Sequence, residues 1–450
     1  MRQPHTYSTG KVQKNYTTTR VECTAGEAAS PPHIPLPLKR GSPLREILWI
    51  CSSILYAALT LKLRFREGFV QNRSQKRLDY TKEWAAAKTR SYHRTPGPPP
   101  KNMNSGSAIP LKKKALFWTI LAALSTFFAE VWSGSEMFPF FKPWGMLVVV
   151  PLYGLHLLFL AWIVVRITKP SFPALLYAGM IFGLYEAYLT KVLWDPPWGE
   201  AWIAAGVAPI ETLVLVFWWH AWFSFILPLL AGEQILTGST SLLSCFPPTL
   251  ARFFSDWKGF TLLALFGGTF QSVNSPSPGH SLLSGLSTTG VLIALILLWR
   301  KTTQGDVFTF EALLPNQKEI KWLAAPLGLM YLGLGLVLRP ESFPDLTGHL
   351  VIWVSYALLA ALLYLTYTRT PVLSPPYNSH TIEPLSPKTW LRLSPVFPIA
   401  ATTAEILLPP LGQAIALISW AAGILFGIIM FIIAVKEIFT SKGSPHHEQS

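Results

Sequence analysis

The sequence predicts an all-α fold, a polytopic integral membrane protein of about ten transmembrane helices preceded by a basic, largely disordered N-terminal tail. Three observations carry this. Only 13% of the 450 residues are charged and 50% are hydrophobic, whereas soluble domains carry about 25% charged residues. Apolar stretches recur from Ala115 to Val435. No alternating strand pattern accompanies them, and a backbone facing lipid must satisfy its own hydrogen bonds, which leaves helices.

The tail comes first. Residues 1–110 are rich in Pro, Ser, Thr, Lys and Arg, a composition that buries too little to offset ordering entropy. Its apolar run, Ile47 to Leu61, falls short of the roughly 20 residues a span needs. Net charge is +14, concentrated in residues 1–111, which hold 18 Lys/Arg against 6 Asp/Glu. A basic tail with few aromatic residues beside an apolar body argues against nucleic acid as a partner and for the lipid bilayer. Met103, followed by Lys112, Lys113, Lys114 and an apolar helix, begins a self-contained insertion signal, so residues 1–102 read either as an upstream extension or as a disordered cytoplasmic tail.

The apolar stretches then run in order: Ala115 to Trp132, Gly145 to Ile167, Phe172 to Trp194, Ile203 to Ala231, Gly259 to Val273, Leu282 to Trp299, Trp322 to Leu338, Leu350 to Tyr367, Val396 to Leu411 and Gln413 to Val435. The fifth and ninth are short, and Pro409 with Pro410 interrupts the ninth. The domain therefore covers 111–440, with a short tail over 441–450. If the first helix starts inside, alternate connections carry sixteen Lys/Arg on the inner side and only Lys142, Lys191 and Arg339 on the outer side. The positive-inside rule then predicts a multi-pass protein of the cell membrane with both termini cytoplasmic.

Charges within apolar helices are costly and usually line a cavity or pair, so they are the first candidates for function. Glu186 lies eight residues before the end of the third stretch and Glu211 eight after the start of the fourth, each about 12 Å deep at 1.5 Å per residue. Gly179, Gly183, Glu186 and Thr190 share one helix face, and the small residues permit close approach of another helix. His156 and His220 sit near the centres of the second and fourth stretches; a neutral histidine bonded to a neighbouring helix explains either alone, and the two together suit proton relay or metal ligation. Nine residues separate Glu211 from His220, which places them on opposite faces of an ideal α-helix. Glu405, ahead of Pro409 and Pro410, reads as the acid of an ordinary short helix near the outer boundary, or as part of an interrupted helix of the kind that binds ions in transporters.

The connection from Trp194 to Trp202 is dense in aromatic rings. Trp194, Trp198 and Trp202 fit an interfacial belt, or a platform for a sugar or lipid headgroup with Asp195 and Glu200 as polar contacts. Cys23, Cys51 and Cys245 form no metal spacing, no paired His or Cys motif occurs, and no cofactor is indicated. The run Glu186 to Lys191, with His220 following, departs from the EExxxR and FxxxH motifs of intramembrane CAAX-type proteases at Ala187, Lys191 and Phe217, and no HxxxN follows. The runs Ala178 to Gly183 and Ala422 to Gly427 are alike and read as packing seams.

Three function classes fit. The leading expectation is a secondary transporter or permease with an outward-opening polar cavity holding Glu186, Glu211 and His220. The alternatives are an intramembrane enzyme acting on a lipid-linked or apolar substrate at the outer leaflet, and a non-catalytic membrane assembly subunit.

Overall fold

The computed structural model describes residues 109–196, 199, 201–369 and 386–440. The N-terminal tail, the connection 370–385 and the tail 441–450 lie outside them, as do Trp198 and Glu200. The described helices belong to one unit, Pro100–Ser450. Among the described residues there is no strand beyond an isolated bridge between Ala204 and Val207.

All ten apolar stretches are helical. Eight give helices long and apolar enough to cross a bilayer: α1 (Leu111–Val131), α2 (Gly145–Thr168), α3 (Phe172–Thr190), α4 (Pro209–Leu236), α6 (Pro278–Thr303), α7 (Gln317–Val337), α8 (Leu346–Arg369) and α10 (Gly412–Thr440). The two short stretches give α5 (Trp257–Val273) and α9 (Val396–Leu407). The latter is preceded by a short helix, Pro387–Leu393, and followed by a tight turn over Pro409–Leu411.

The helix boundaries follow from local chemistry. Ser171 caps α3 by accepting the Ala174 N–H, with Pro173 in its first turn. Ser277 and Pro278 do the same for α6, and Asn316 with Glu319 forms a capping box on α7. Each arrangement satisfies amide groups that a helix start would leave unpaired. At the other end of α3, Lys191 takes a left-handed conformation at φ 60° and stops the helix. Proline also opens α4, which begins at Pro209.

These ends correct two boundaries. The third helix stops at Thr190 and not at Trp194, because Lys191 breaks it and Pro196 follows. The fourth starts at Pro209 and not at Ile203, because residues 201–208 form a turn held by the Ala204–Val207 bridge. Glu186 therefore lies four residues from its helix end, about 6 Å and not 12 Å. Glu211 sits in the first turn of α4.

The helices divide into a core and a shell. Most of α1, α3 and α4 is buried within the protein, 78% of the apolar window in α3 and α4, against 11% in α7. Large apolar side chains on the outward faces, such as Leu329 and Leu332 on α7, Leu358 on α8 and Leu417 on α10, remain exposed. Such faces need lipid around them.

Glycines set the closest approaches. A Cβ at Gly179 would lie 2.7 Å from the Ala221 carbonyl oxygen, and one at Gly183 would lie 3.0 Å from that of Leu215. On the other side of α4, a Cβ at Gly427 would meet the Phe217 oxygen at 2.6 Å, and Gly423 abuts the Trp218 ring. The two similar runs thus grip one helix from opposite partners, α3 and α10.

Connections on alternate sides group as the charge alternation requires. At one end, Lys113 pairs with Asp306 at 2.7 Å, Lys114 with Glu319, and Arg166 with Glu311 at 2.6 Å. At the other, Arg339 pairs with Asp195, and the Asn274 amide donates to the Ser133 carbonyl at 2.7 Å.

Candidate functional site

Four core helices bring their polar side chains to one place. On α3, the close seam at Gly179 and Gly183 lets α4 approach, and one turn along that face Glu186 meets His220. Their Oε2 and Nε2 atoms are 2.8 Å apart, with side chains 13% and 5% exposed. The other ring nitrogen, Nδ1, lies 2.8 Å from the Ser224 hydroxyl one turn further along α4. Each ring nitrogen thus faces one polar partner, Nε2 the Glu186 carboxyl group and Nδ1 the Ser224 hydroxyl. The imidazole is fixed at both ends, and its ring lies nearly parallel to Phe182 at 6.3 Å between centroids.

A second carboxylate, Glu130 near the end of α1, stands within electrostatic reach of both Glu186 and His220. It accepts hydrogen bonds from the Tyr153 hydroxyl of α2 and from the Ser135 hydroxyl in the connection that follows α1. Tyr153 packs on Phe182 at 5.6 Å and faces His220 at 6.4 Å. Beneath the pair, the Ser125 hydroxyl donates to the Ser224 carbonyl, and the polar groups then give way to fully buried Phe225 and Ile226. The set therefore runs from an exposed loop inward to Ser224.

The winding of α4 matters here. Leu213–Ile226 carries i→i+5 hydrogen bonds over much of its length, a wider coil often found at functional sites. It changes the face relation expected for an ideal α-helix between Glu211 and His220. Even so, among the described residues Glu211 makes no hydrogen bond or ion pair with Glu186 or His220, and the expected meeting of Glu186 with Glu211 is replaced by that of Glu186 with His220.

The remaining sequence candidates lie elsewhere. His156 donates through Nδ1 to the Leu152 carbonyl at 2.9 Å and packs against Tyr185 and Phe182, while its Nε2 has no partner among the described residues. Phe182 stands between it and His220. Glu405 sits partly exposed on α9, away from this group. Asp195 is taken up by Arg339 and the Ser342 hydroxyl, and the Trp194 indole donates to the Ser342 carbonyl. Both tie the connection after α3 to the one after α7. Trp202 is half exposed. Among the described residues no three His, Cys, Asp or Glu side chains are grouped as metal ligands.

Sequence reasoning missed Glu130, Tyr153 and Ser224. Glu130 was the readable one, a carboxylate inside the first apolar stretch. Its position two residues from the end of that stretch made it look like a boundary charge. Nothing local marks Tyr153 or Ser224, whose roles come from neighbouring helices. Glu233 was also passed over: at the inner end of α4 it is fully buried and accepts from the amides of Leu242 and Leu243 and from the hydroxyls of Ser239 and Ser241.

The comparisons with known proteins bear on the body that holds this site. An "Uncharacterized protein" of Archaeoglobus fulgidus is 37% identical over 251 residues, covering 56% of this chain and 77% of that relative. No solved structure matches the chain. A family profile described as "Uncharacterized membrane protein family" matches residues 119–441, from within α1 past the end of α10, and the chain belongs to that membrane protein family.

Proposed function

We propose that this protein is a membrane-embedded acid–base catalyst acting on an apolar or lipid-linked substrate from the outer leaflet, with Glu186 as the general base. The observation that carries the proposal is the Glu186–His220 pair at 2.8 Å, held in one orientation by Ser224. A base needs a proton acceptor fixed near the reacting group, and the contact with His220 holds the Glu186 carboxyl group in place. Glu130, held by Ser135 and by Tyr153, whose ring lies beside His220, supplies a second carboxyl group for the opposite proton transfer. The reaction class is hydrolysis or group transfer that needs one base and one acid.

Proton-coupled transport is the second reading. It is favoured by the run of polar groups leading outward from Ser224 through His220, Glu186 and Glu130 to Ser135. It requires a continuation inward past Ser224, where the next residues of α4, Phe225 and Ile226, are apolar and fully buried. In either reading both termini face the cytoplasm, on the strength of the Lys/Arg asymmetry.

The test compares membranes of one host producing wild-type protein or Glu186→Gln at equal level, with lipids and apolar solutes profiled by mass spectrometry. General base catalysis contributes about 10²–10⁴-fold, so the variant should lose the chemical change almost completely. A full conversion in Glu186→Gln, or unchanged membrane chemistry with wild-type protein that instead drives pH-dependent solute uptake into liposomes, would overturn the catalytic reading.

A further inference from the structure

A separate feature lies on the other side of α1. An apolar cleft is lined by Phe128 of α1, Ala264 of α5, Thr289 and Arg300 of α6, and Trp390 and Phe397 from the segment leading through α9. It runs along one face of α6 from Arg300, three residues before the helix end, back to Thr289. That is eleven residues, about 16 Å at 1.5 Å per residue. Half of a hydrocarbon core about 30 Å thick is nearly the same length.

The walls are almost wholly apolar, but the Arg300 end is cationic. Arg300 is exposed and forms no ion pair among the described residues. Lys301, Lys388 and Arg392 adjoin lining residues in sequence and are exposed as well. The Trp390 indole N–H, beside Phe260 at 4.1 Å between centroids, is buried with no hydrogen-bond partner among the described residues. An apolar slot one leaflet deep, with a free guanidinium at one end and an unpaired N–H donor in its wall, matches an acyl chain joined to an anionic, acceptor-rich headgroup.

We infer that this cleft is a binding site for a phospholipid of net negative charge, with one acyl chain along α6 and the headgroup at Arg300. Its leaflet is the one bordering the Arg300 end, the cytoplasmic leaflet in the orientation proposed above. The inference does not depend on the catalytic reading, since none of the residues around Glu186 and His220 lines the cleft.

Native mass spectrometry of the purified full chain, titrated with phosphatidylglycerol or with phosphatidylcholine of the same acyl length, tests it. One Lys/Arg near the headgroup corresponds to about fivefold in affinity. The first phosphatidylglycerol should therefore bind about fivefold or more tightly than phosphatidylcholine, and Arg300→Gln should erase the preference. Ala264→Phe, which fills the cleft, should remove the tight site for both lipids. Thr289→Phe narrows the same cleft from α6 and replaces it should that chain not fold. Equal affinity of wild-type protein for both lipids, a preference surviving Arg300→Gln, or full binding in the filled variant would overturn the inference. So would displacement of the lipid by millimolar inorganic phosphate, which would mark an ion site.

Discussion

Single residues decide whether α3 and α4 can bring their acid and imidazole together. Gly179 and Gly183 are required for steric reasons, since the space a side chain would occupy holds backbone of α4. Gly179→Ala should destabilise the protein by about 1–3 kcal/mol, the usual range for overpacking. Gly290 on α6 has nothing within 4 Å, so Gly290→Ala serves as the neutral or slightly stabilising control. Unfolding midpoints of the two variants in mixed micelles check the contrast, and equal effects would argue against the close seam. This seam was legible from the spacing of Gly179, Gly183 and Glu186 alone. The partner of Glu186 was not, because spacing within one helix says which face a residue occupies and nothing about which helix covers that face. The same limit explains why Tyr153 and Ser224 went unseen.

At the scale of elements, helix ends depend on buried polar side chains that composition hides. Lys191 stops α3, and its ammonium, itself buried, donates to the carbonyls of Gly335 and Leu338 at the end of α7. It reads as a surface cation in the sequence and acts as the cap of a second helix. Glu233 does the equivalent work at the inner end of α4, where its carboxylate holds the turn over residues 239–243. Glu233→Ala would leave the amides of Leu242 and Leu243 buried without partners, at about 1–3 kcal/mol for each unsatisfied group. The expected result is lower stability together with faster proteolysis in the connection between α4 and α5. Wild-type resistance in that connection would mean the carboxylate does not hold it. The sequence reading ended the fourth helix at Ala231, before Glu233, because a charge looks like a boundary when its partners are unknown.

For the whole molecule, hydropathy and charge placed the helices well because both report on the bilayer and not on particular contacts. The two stretches too short by composition are the two that give the short helices α5 and α9. Ion pairs group the connections at two ends in the alternation that the Lys/Arg count implies. Orientation then has a direct check by labelling single cysteines in intact cells. Gln317→Cys should resist an impermeant reagent, and Glu341→Cys, at the opposite end of α7, should react. The reverse pattern would invert the orientation and move the Glu186 site to the cytoplasmic face.

Joining all ten helices to one function depends on Glu186 and His220 acting as a unit across α3 and α4. A double-mutant cycle in unfolding free energy, with Glu186→Gln, His220→Asn and the pair together in mixed micelles, measures this most directly. The account predicts a coupling of about 1.5–3 kcal/mol, as for a hydrogen bond to a charged group, with the double variant less destabilised than the sum of the singles. Additivity within about 0.5 kcal/mol would mean that the two side chains do not engage each other, and the proposed site would fall with them.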